Sequence, residues 1–543
     1  MPAPGPARGS YANLRAMIDH DPATLGQLME FMCSAIAING AGQPAQAIAL
    51  LDQALALAPA FLPIHMQRAD LLLQAGNAAA AVHAYRHCLA IAPTFDEARQ
   101  PYRQALLALV AQCEAALATG VFTASTTMQL ASAHLALDQP LPALASIDLL
   151  LAAQPDDFSA RALRADILLR LNRHEEALAC YQGFVGGDAS DEQQVLLAYN
   201  SATILRQMGR FDHALAQFEH ALQRRPSFAQ ARVGRAHLHL LQGDFVAGWE
   251  GHEARHEIEE LARARPHSTQ PPWRPGQDVR GLDVLLWAEQ GQGDTLQFAR
   301  YIGVVAARAA RTTICCPPAM ASLLAMSFPT CEFVSDDKRL PPHDLMASLL
   351  SLPQLLGLPD PAAAPPPPYL VADPARRCHW RSSGAQRMRI GITWAGRQYA
   401  TIHHTRDIPL SALLPLFDLA IDFVALQPDI PATDTEALAT LEQGRQPGRL
   451  QRVPLADWAD TAALVAELDA VISVDSAVAH LAGALARPGW LLLRLEGEWR
   501  WGLAPRATAW YPSLQLVRQQ VRGQWDEPVK QVRHACAALL AAQ

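Results

Sequence analysis

The sequence predicts an α-helical solenoid followed by an α/β half made of two Rossmann-like domains that face a cleft. Three observations predict it. The first half is rich in Ala and Leu and repeats with a period of 34 residues. Beyond a Pro-rich stretch, short apolar strand patterns alternate with helical ones, as in a parallel sheet. Two strand–loop–helix corners, far apart in the chain, each present small or polar residues where a strand ends and a helix begins.

The repeat comes first in the chain. Gly42, Ala47, Leu55, Pro59 and Phe61 recur as Gly76, Ala81, Leu89, Pro93 and Phe95, and Ala143, Leu151 and Pro155 keep the same internal spacing. So do Ala214, Leu222 and Pro226, with Gly209 at the turn, while Ala177 starts a weaker copy that has Ala189 where the Pro should fall. This gives five recognisable copies, a degenerate stretch between about Phe95 and Gly120, and a last half-copy from Gln242 to Arg255. A small residue at the helix crossing and a Pro after the second helix resemble the tetratricopeptide repeat, so residues 1–260 are expected to form such an array. Arrays of this kind stack into a groove that holds peptides or proteins; the alternative is a structural solenoid docked on its own catalytic domain.

A Pro-rich linker over 261–278 closes the helical half, and a second break, Pro359 to Pro368, divides the rest. Two domains are expected, 279–372 and 373–543, with strands near 283–288, 312–316 and 332–335 in the first and near 388–394, 422–427, 470–474 and 490–493 in the second. The second Pro-rich stretch is a candidate hinge for cleft closure.

Composition bounds the function. The chain has 543 residues, enough for roughly three domains. Charged residues make up 18% and the net charge is −8, which lacks the basic excess of a nucleic-acid binder. Lys338 and Lys530 are the only lysines, so a cation that binds phosphate is expected to be an arginine, whose fork suits bidentate contacts. The start, Met1 to Arg8, has no apolar core of a secretory signal, and no run reaches the ~18 apolar residues of a membrane span. Nine cysteines, none in Cys-x-x-Cys spacing and with Cys315 beside Cys316, read as reduced cytoplasmic thiols or buried small hydrophobes, without a zinc site.

The first corner is the strand from Asp283 followed by Gln290-Gly-Gln-Gly-Asp-Thr295 and a helix expected from Leu296 to about Arg308. Gly291 and Gly293 permit close backbone approach to a ligand, and Asp294 stands at the helix start with Thr295 beside it; a plain helix cap is the alternative. The second corner is Val471-Ile-Ser-Val-Asp-Ser-Ala-Val-Ala-His480, a buried strand that turns into a helix at Asp475. Its helix start offers free N–H groups to an anion such as a diphosphate, and Ser476 and His480, four apart, share one side of the first turn. The alternative reads Asp475 as a helix cap and His480 as core, and the local sequence leaves both open.

Further candidates flank these corners. The loop ending Gly391-Ile-Thr-Trp-Ala-Gly396 leads to Arg406, which suits a diphosphate or a surface pair with Asp407. Trp499, Arg500 and Trp501 follow a strand and suit stacking and phosphate contact, or core packing; Gln427 ends another strand near the cleft. His403 and His404 are adjacent, with no accompanying ligand pattern, and read as loop histidines. Neither a Walker-type Gly-x-x-x-x-Gly-Lys nor Gly-x-Ser-x-Gly occurs.

Taken together, Trp287 to Tyr301, Trp394-Ala-Gly396, Asp460-Thr-Ala-Ala463, Ser473 to Leu481 and Trp510-Tyr-Pro512 resemble the ADP-heptose:lipopolysaccharide heptosyltransferase family, over about 275 to 530. More closely, these residues resemble a bacterial branch in which that GT-B domain follows tetratricopeptide repeats. The resemblance implies an inverting, metal-independent glycosyltransferase that uses a nucleotide sugar and no cofactor. It implies Asp294 as general base, and places Asp475, Ser476, Ala477 and His480 at the donor's diphosphate and sugar, with Gly396 and Arg406 nearby. Ser476-Ala477 stands where the family has Thr-Gly, Arg406 where it has Lys, and Asp429 only approximates its carboxylate near the nucleotide, so the resemblance does not fix the sugar. The expected acceptor is a protein held by the repeats, flagellin- or adhesin-like. One alternative is a lipopolysaccharide or lipid-linked glycan; another is a non-catalytic scaffold with a relic transferase domain. The expected setting is cytoplasmic.

Overall fold

A computed structural model of the chain describes residues 22–92, 95–120, 122–182, 190–262, 265–335, 339–381, 387–396, 406–427 and 429–542. It divides into two compact units, 1–189 and 190–543.

The first unit is helical. Pairs span Pro22–Gly40 with Pro44–Leu57, Leu62–Gln74 with Ala78–Ile91, Ala124–Ala136 with Pro140–Ala153, and Phe158–Arg170 with His174–Gln182. The turn inside each pair carries one residue with positive φ: Gly42 at 79°, Gly76 at 78°, Asp138 at 60° and Asn172 at 59°. Asp and Asn tolerate this left-handed geometry better than other side chains, so copies without glycine keep the turn. Ala47, Ala81, Ala143 and Ala177 are fully buried, because two helices cross there and leave room only for a methyl group. The degenerate stretch is not a pair. Arg99–Ala118 runs as one helix of 20 residues.

The second unit begins with two more helix pairs, Asp191–Gln207 with Phe211–Arg224 and Ala229–Gln242 with Phe245–His252. Ser190 starts the first of these with a reciprocal cap: its Oγ accepts from the Gln193 N–H at 3.2 Å and its own N–H donates to Gln193 Oε1 at 2.9 Å. The terminal pair is built into the α/β part. Trp249 donates from Nε1 to the Pro359 carbonyl at 2.8 Å and packs edge-on against Phe298, Trp499 and Trp510.

Two parallel sheets follow. The first holds β1 (Asp283–Trp287), β2 (Arg311–Cys315), β3 (Glu332–Val334) and β4 (Leu345–Ser348) in the order β3-β2-β1-β4. The second holds β5 (Arg389–Thr393), β6 (Asp422–Ala425), β7 (Arg449–Arg452), β8 (Ala470–Val474), β9 (Gly489–Leu493) and β10 (Leu514–Arg518) in the order β10-β9-β8-β5-β6-β7. Counted from β5, that is the doubly wound order 3-2-1-4-5-6, and the first sheet repeats its 3-2-1-4 part. The expected pair of Rossmann-like domains is therefore present.

Three strands were not expected. β4 lies in an Ala/Leu-rich run that reads equally well as helix; β7 is a polar edge strand; β10 is a short edge strand that mixes Gln515 and Arg518 with apolar residues. Both Pro-rich stretches are docked. Pro271 and Trp273 exchange backbone hydrogen bonds with Met346 at 3.2 and 2.8 Å. In the second stretch, the Arg300 guanidinium reaches the Pro365 carbonyl at 2.6 Å and the Tyr369 N–H reaches the Ala484 carbonyl at 3.1 Å, which ties it to both α/β domains. Among the described residues, no helix is long and apolar enough to cross a membrane.

Candidate active site

In a doubly wound sheet the strand order reverses between its first and fourth strands, and a crevice opens beyond their carboxyl ends. Here those strands are β5 and β8. A cavity of about 270 Å³ lies at this point, lined by Thr393, Ala395 and Gly396 after β5 and by Ser476, Ala477 and Val478 after β8. Leu426, Gln427 and Asp429 close one side, Asp457, Trp458 and Thr461 another, and Gln292 reaches in from the first α/β domain. Trp458 Nε1 donates to Gln292 Oε1 at 3.0 Å, a direct link across the cleft.

The helix Ala477–Ala484 opens into this cavity. Its cap, Ser476, makes no side-chain bond to the helix backbone; its Oγ pairs instead with Ser473 Oγ at 3.0 Å. The first N–H groups of the helix are therefore without a side-chain cap on the cavity side, an arrangement suited to an anion. Gln427 Oε1 accepts from the N–H groups of Trp394 and Ala395 at 2.9 and 3.1 Å and so shapes the loop after β5. The Arg406 guanidinium abuts Gly396, where a Cβ would collide with it. Its Nε has no hydrogen-bond partner among the described residues, and Asp407 caps the Gly396 N–H at 2.9 Å.

A second cluster adjoins the cavity from the first α/β domain. The helical run there starts at Gln292, earlier than the expected Leu296, and continues through a 3₁₀ turn at Ala299–Tyr301 into the helix Ile302–Ala306. Asp294 lies in its first turn. One carboxylate oxygen accepts from the Gly291 N–H at 3.0 Å; the other accepts from Arg500, through Nε at 3.1 Å and through Nη2. Thr295 is buried, its hydroxyl 3.4 Å from the Gly291 carbonyl. Gly293 lets this loop touch the opposite domain: a Cβ there would lie 3.0 Å from His480 Cδ2 and 3.4 Å from Ala477 Cα.

Arg500 is held on three sides. Its guanidinium pairs with Asp294 and with Glu498 Oε1 at 2.6 Å, and lies 4.1 Å from the centre of the Trp499 ring. Burial opposes its charge, but Asp294 and Glu498 outweigh burial and hold it protonated. Trp499 stacks on His237 of the terminal helix pair at 5.7 Å and meets Trp249 edge-on. Trp501 is 1% exposed, stacks on His480 at 4.9 Å and donates from Nε1 to Asp475 at 2.9 Å. Both tryptophans are thus packing residues in this structure, and neither offers an open face for stacking on a base or sugar.

Of the residues singled out in the sequence, Gly396, Gln427, Ser476 and Ala477 line the cavity, with Arg406 against its Gly396 edge. Asp294, Gly291, Gly293, Thr295, His480, Asp475, Trp499 and Arg500 form the adjoining polar cluster. His403 and His404 lie outside the described residues. The sequence reading missed Thr393, Asp457 and Trp458. Thr393 is buried, its hydroxyl without a partner among the described residues, and Asp457 caps its helix by accepting from the Asp460 N–H at 2.7 Å. Only the Asp-Trp start of that helix, just after β7, signals them.

The class of protein now follows. The chain joins tetratricopeptide repeats to two Rossmann-like domains; the tetratricopeptide repeat family matches residues 40–94, 128–192 and 199–248. Protein FlbA of Caulobacter vibrioides is 25% identical over 442 residues, which cover 70% of this chain and 73% of that protein. Among solved structures, a glycosyl transferase family 9 protein from Veillonella parvula is 11% identical, with 49% of this chain and 99% of that one covered and a TM-score of 0.37. The E. coli ADP-heptose LPS heptosyltransferase II is 15% identical, with 48% and 99% covered and a TM-score of 0.34.

Proposed function

We propose that this chain is an inverting glycosyltransferase that needs no bound metal and moves a sugar from a nucleotide-sugar donor to a hydroxyl group of a protein held by the repeats. The observation that carries this reading is the cavity between β5 and β8, with an uncapped helix start opening into it and the Asp294 cluster beside it. The diphosphate would lie on the N–H groups of residues 476–478, near Arg406.

In this reading the acceptor hydroxyl oxygen attacks the anomeric carbon, the carbon–oxygen bond to the diphosphate breaks, and the hydroxyl proton passes to Asp294. Arg500 must then yield part of its hold on the carboxylate. Charge on the departing nucleoside diphosphate is offset by the helix start and Arg406. The cytoplasm, where nucleotide sugars are made, is the setting that suits it.

The test is thermal stabilisation by a panel of nucleotides and nucleotide sugars, in the presence and absence of a chelator, on the wild type and on Ser476→Asp. Asp is a good helix cap, so the variant should fold, while its charge repels an anion at the same helix start. One nucleotide at a hundredfold excess over its Kd should stabilise the wild type by about 2.7 kcal/mol, with or without chelator, and the variant far less. A flat response from a folded wild type would overturn the reading.

A further inference from the structure

His480 is buried, and its surroundings determine which ring nitrogen carries the proton. Burial pushes its pKa down to about 4, against the pull of Asp475, so the ring is neutral near pH 7 with a single N–H. Its Nδ1 lies 3.0 Å from the Tyr511 hydroxyl, which lies 3.4 Å from the Tyr369 hydroxyl. Tyr369 in turn lies 3.0 and 3.2 Å from the carbonyls of Leu296 and Gln297.

Donor counting orders this chain. Carbonyls only accept, so Tyr369 donates to one of them, and its oxygen is left to accept from Tyr511. Tyr511 has then spent its only hydrogen, so its oxygen accepts from Nδ1–H of His480. All three donors are satisfied. In the reverse arrangement Tyr511 donates to Nδ1 and the proton sits on Nε2, which has no hydrogen-bond partner among the described residues. The first arrangement makes one more hydrogen bond within the protein, from Tyr511 to Tyr369, so it wins.

The sequence makes room for this. Gly483 lies one turn beyond His480, and a Cβ there would collide with the Tyr511 ring. Trp501 fixes the plane of the imidazole from its face. Its Cδ2 faces the loop of Gly293, next to Asp294.

We infer that Tyr511, seated in the space left by Gly483 and oriented by Tyr369, is a positioning residue that holds the proton of His480 on Nδ1 and leaves Nε2 free to accept from a sugar hydroxyl beside Asp294. The role of that hydroxyl rests on the glycosyltransferase reading; the placement of the proton does not.

The test is nitrogen NMR of protein labelled with ¹⁵N-histidine, the His480 signals being assigned by their loss in His480→Gln. The wild type should show a protonated Nδ1 and a bare Nε2. In Tyr369→Phe the Tyr511 hydrogen loses its acceptor and turns to His480, so the ring should switch to the Nε2–H form. Turnover should then fall at least roughly 10- to 100-fold, with little change in donor KM. Gly483→Ala should shift the same signals by displacing the Tyr511 ring. A wild-type ring protonated on Nε2, or a ring unchanged in Tyr369→Phe, overturns the inference. The expected proton placement in a protein that binds no nucleotide sugar would uphold it and overturn the glycosyltransferase reading instead.

Discussion

Arg255 offers the sharpest test of how the terminal helix pair is joined to the α/β part. Its side chain is fully buried, and it reaches Glu289, 1% exposed, through Nε at 3.0 Å and Nη2 at 2.8 Å. The same guanidinium bonds Ser351 at 2.7 Å and Glu253 at 2.6 Å, and Ser348 donates to Glu289 from the other side. Arg255→Met would leave Glu289 charged, buried and without its cation, a loss of about 3–5 kcal/mol. Arg232–Glu257 is the control: it is as short, 2.6 Å, but 32% and 51% exposed, and its loss should cost about 0–1 kcal/mol. Adding Glu289→Gln to Arg255→Met removes the stranded charge and should restore much of the stability, so the two changes will not add. The assay is urea unfolding followed by tryptophan fluorescence. All 11 tryptophans lie beyond residue 190, so the signal reports the second unit alone. If Arg255→Met cost no more than Arg232→Met, the buried pair would not tie the two parts together as argued.

Three further outcomes follow from the same contacts. Gly293→Ala should push its loop off His480 Cδ2, 3.0 Å from the added Cβ, and lower turnover about 100-fold while the melting temperature changes little; unchanged kinetics would count against close contact at the site. Stability of the second unit should fall as pH drops from 6.5 to about 4, because the unfolded chain takes up a proton that buried His480 refuses, worth about 3 kcal/mol once complete. His237 and His252, also held neutral by burial, act in the same direction, and His480→Gln should flatten the slope of urea midpoint against pH. A chain cut to begin at residue 190 should fold, whereas one cut to begin at 279 should be insoluble, since it bares the faces of Phe298, Trp499 and Trp510 that Trp249 covers; solubility and tryptophan emission would decide it.

Much of this architecture is legible in the sequence because its signals are local. The 34-residue period marks the buried alanines and the left-handed turns directly, and a strand running into a Gly-rich or Ser-Ala corner marks both halves of the site. What is hidden depends on partners remote in the chain. Asp294 and Arg500 are 206 residues apart, and nothing near either announces the pair. Trp499 and Trp501 look the same in sequence whether they face a ligand or the interior; only the arrival of His237 and His480 decides. β4 was hidden for another reason: in a fully buried parallel strand the apolar run loses its period of two and reads as helix.

These remote partners connect the repeats to the chemistry in one chain of contacts. His237 of the last full repeat helix stacks on Trp499, Trp499 lies against Arg500, and Arg500 holds the carboxylate of Asp294. Arg255, just past the same helix pair, holds Glu289, which lies two residues past β1 in the loop that carries Asp294. The candidate base is therefore fixed from two directions by residues that the terminal repeat supplies or supports. A repeat array that only captured a partner would need no such contacts, since a flexible tether would serve. Their burial means that the terminal pair is part of the framework that holds the loop of Asp294.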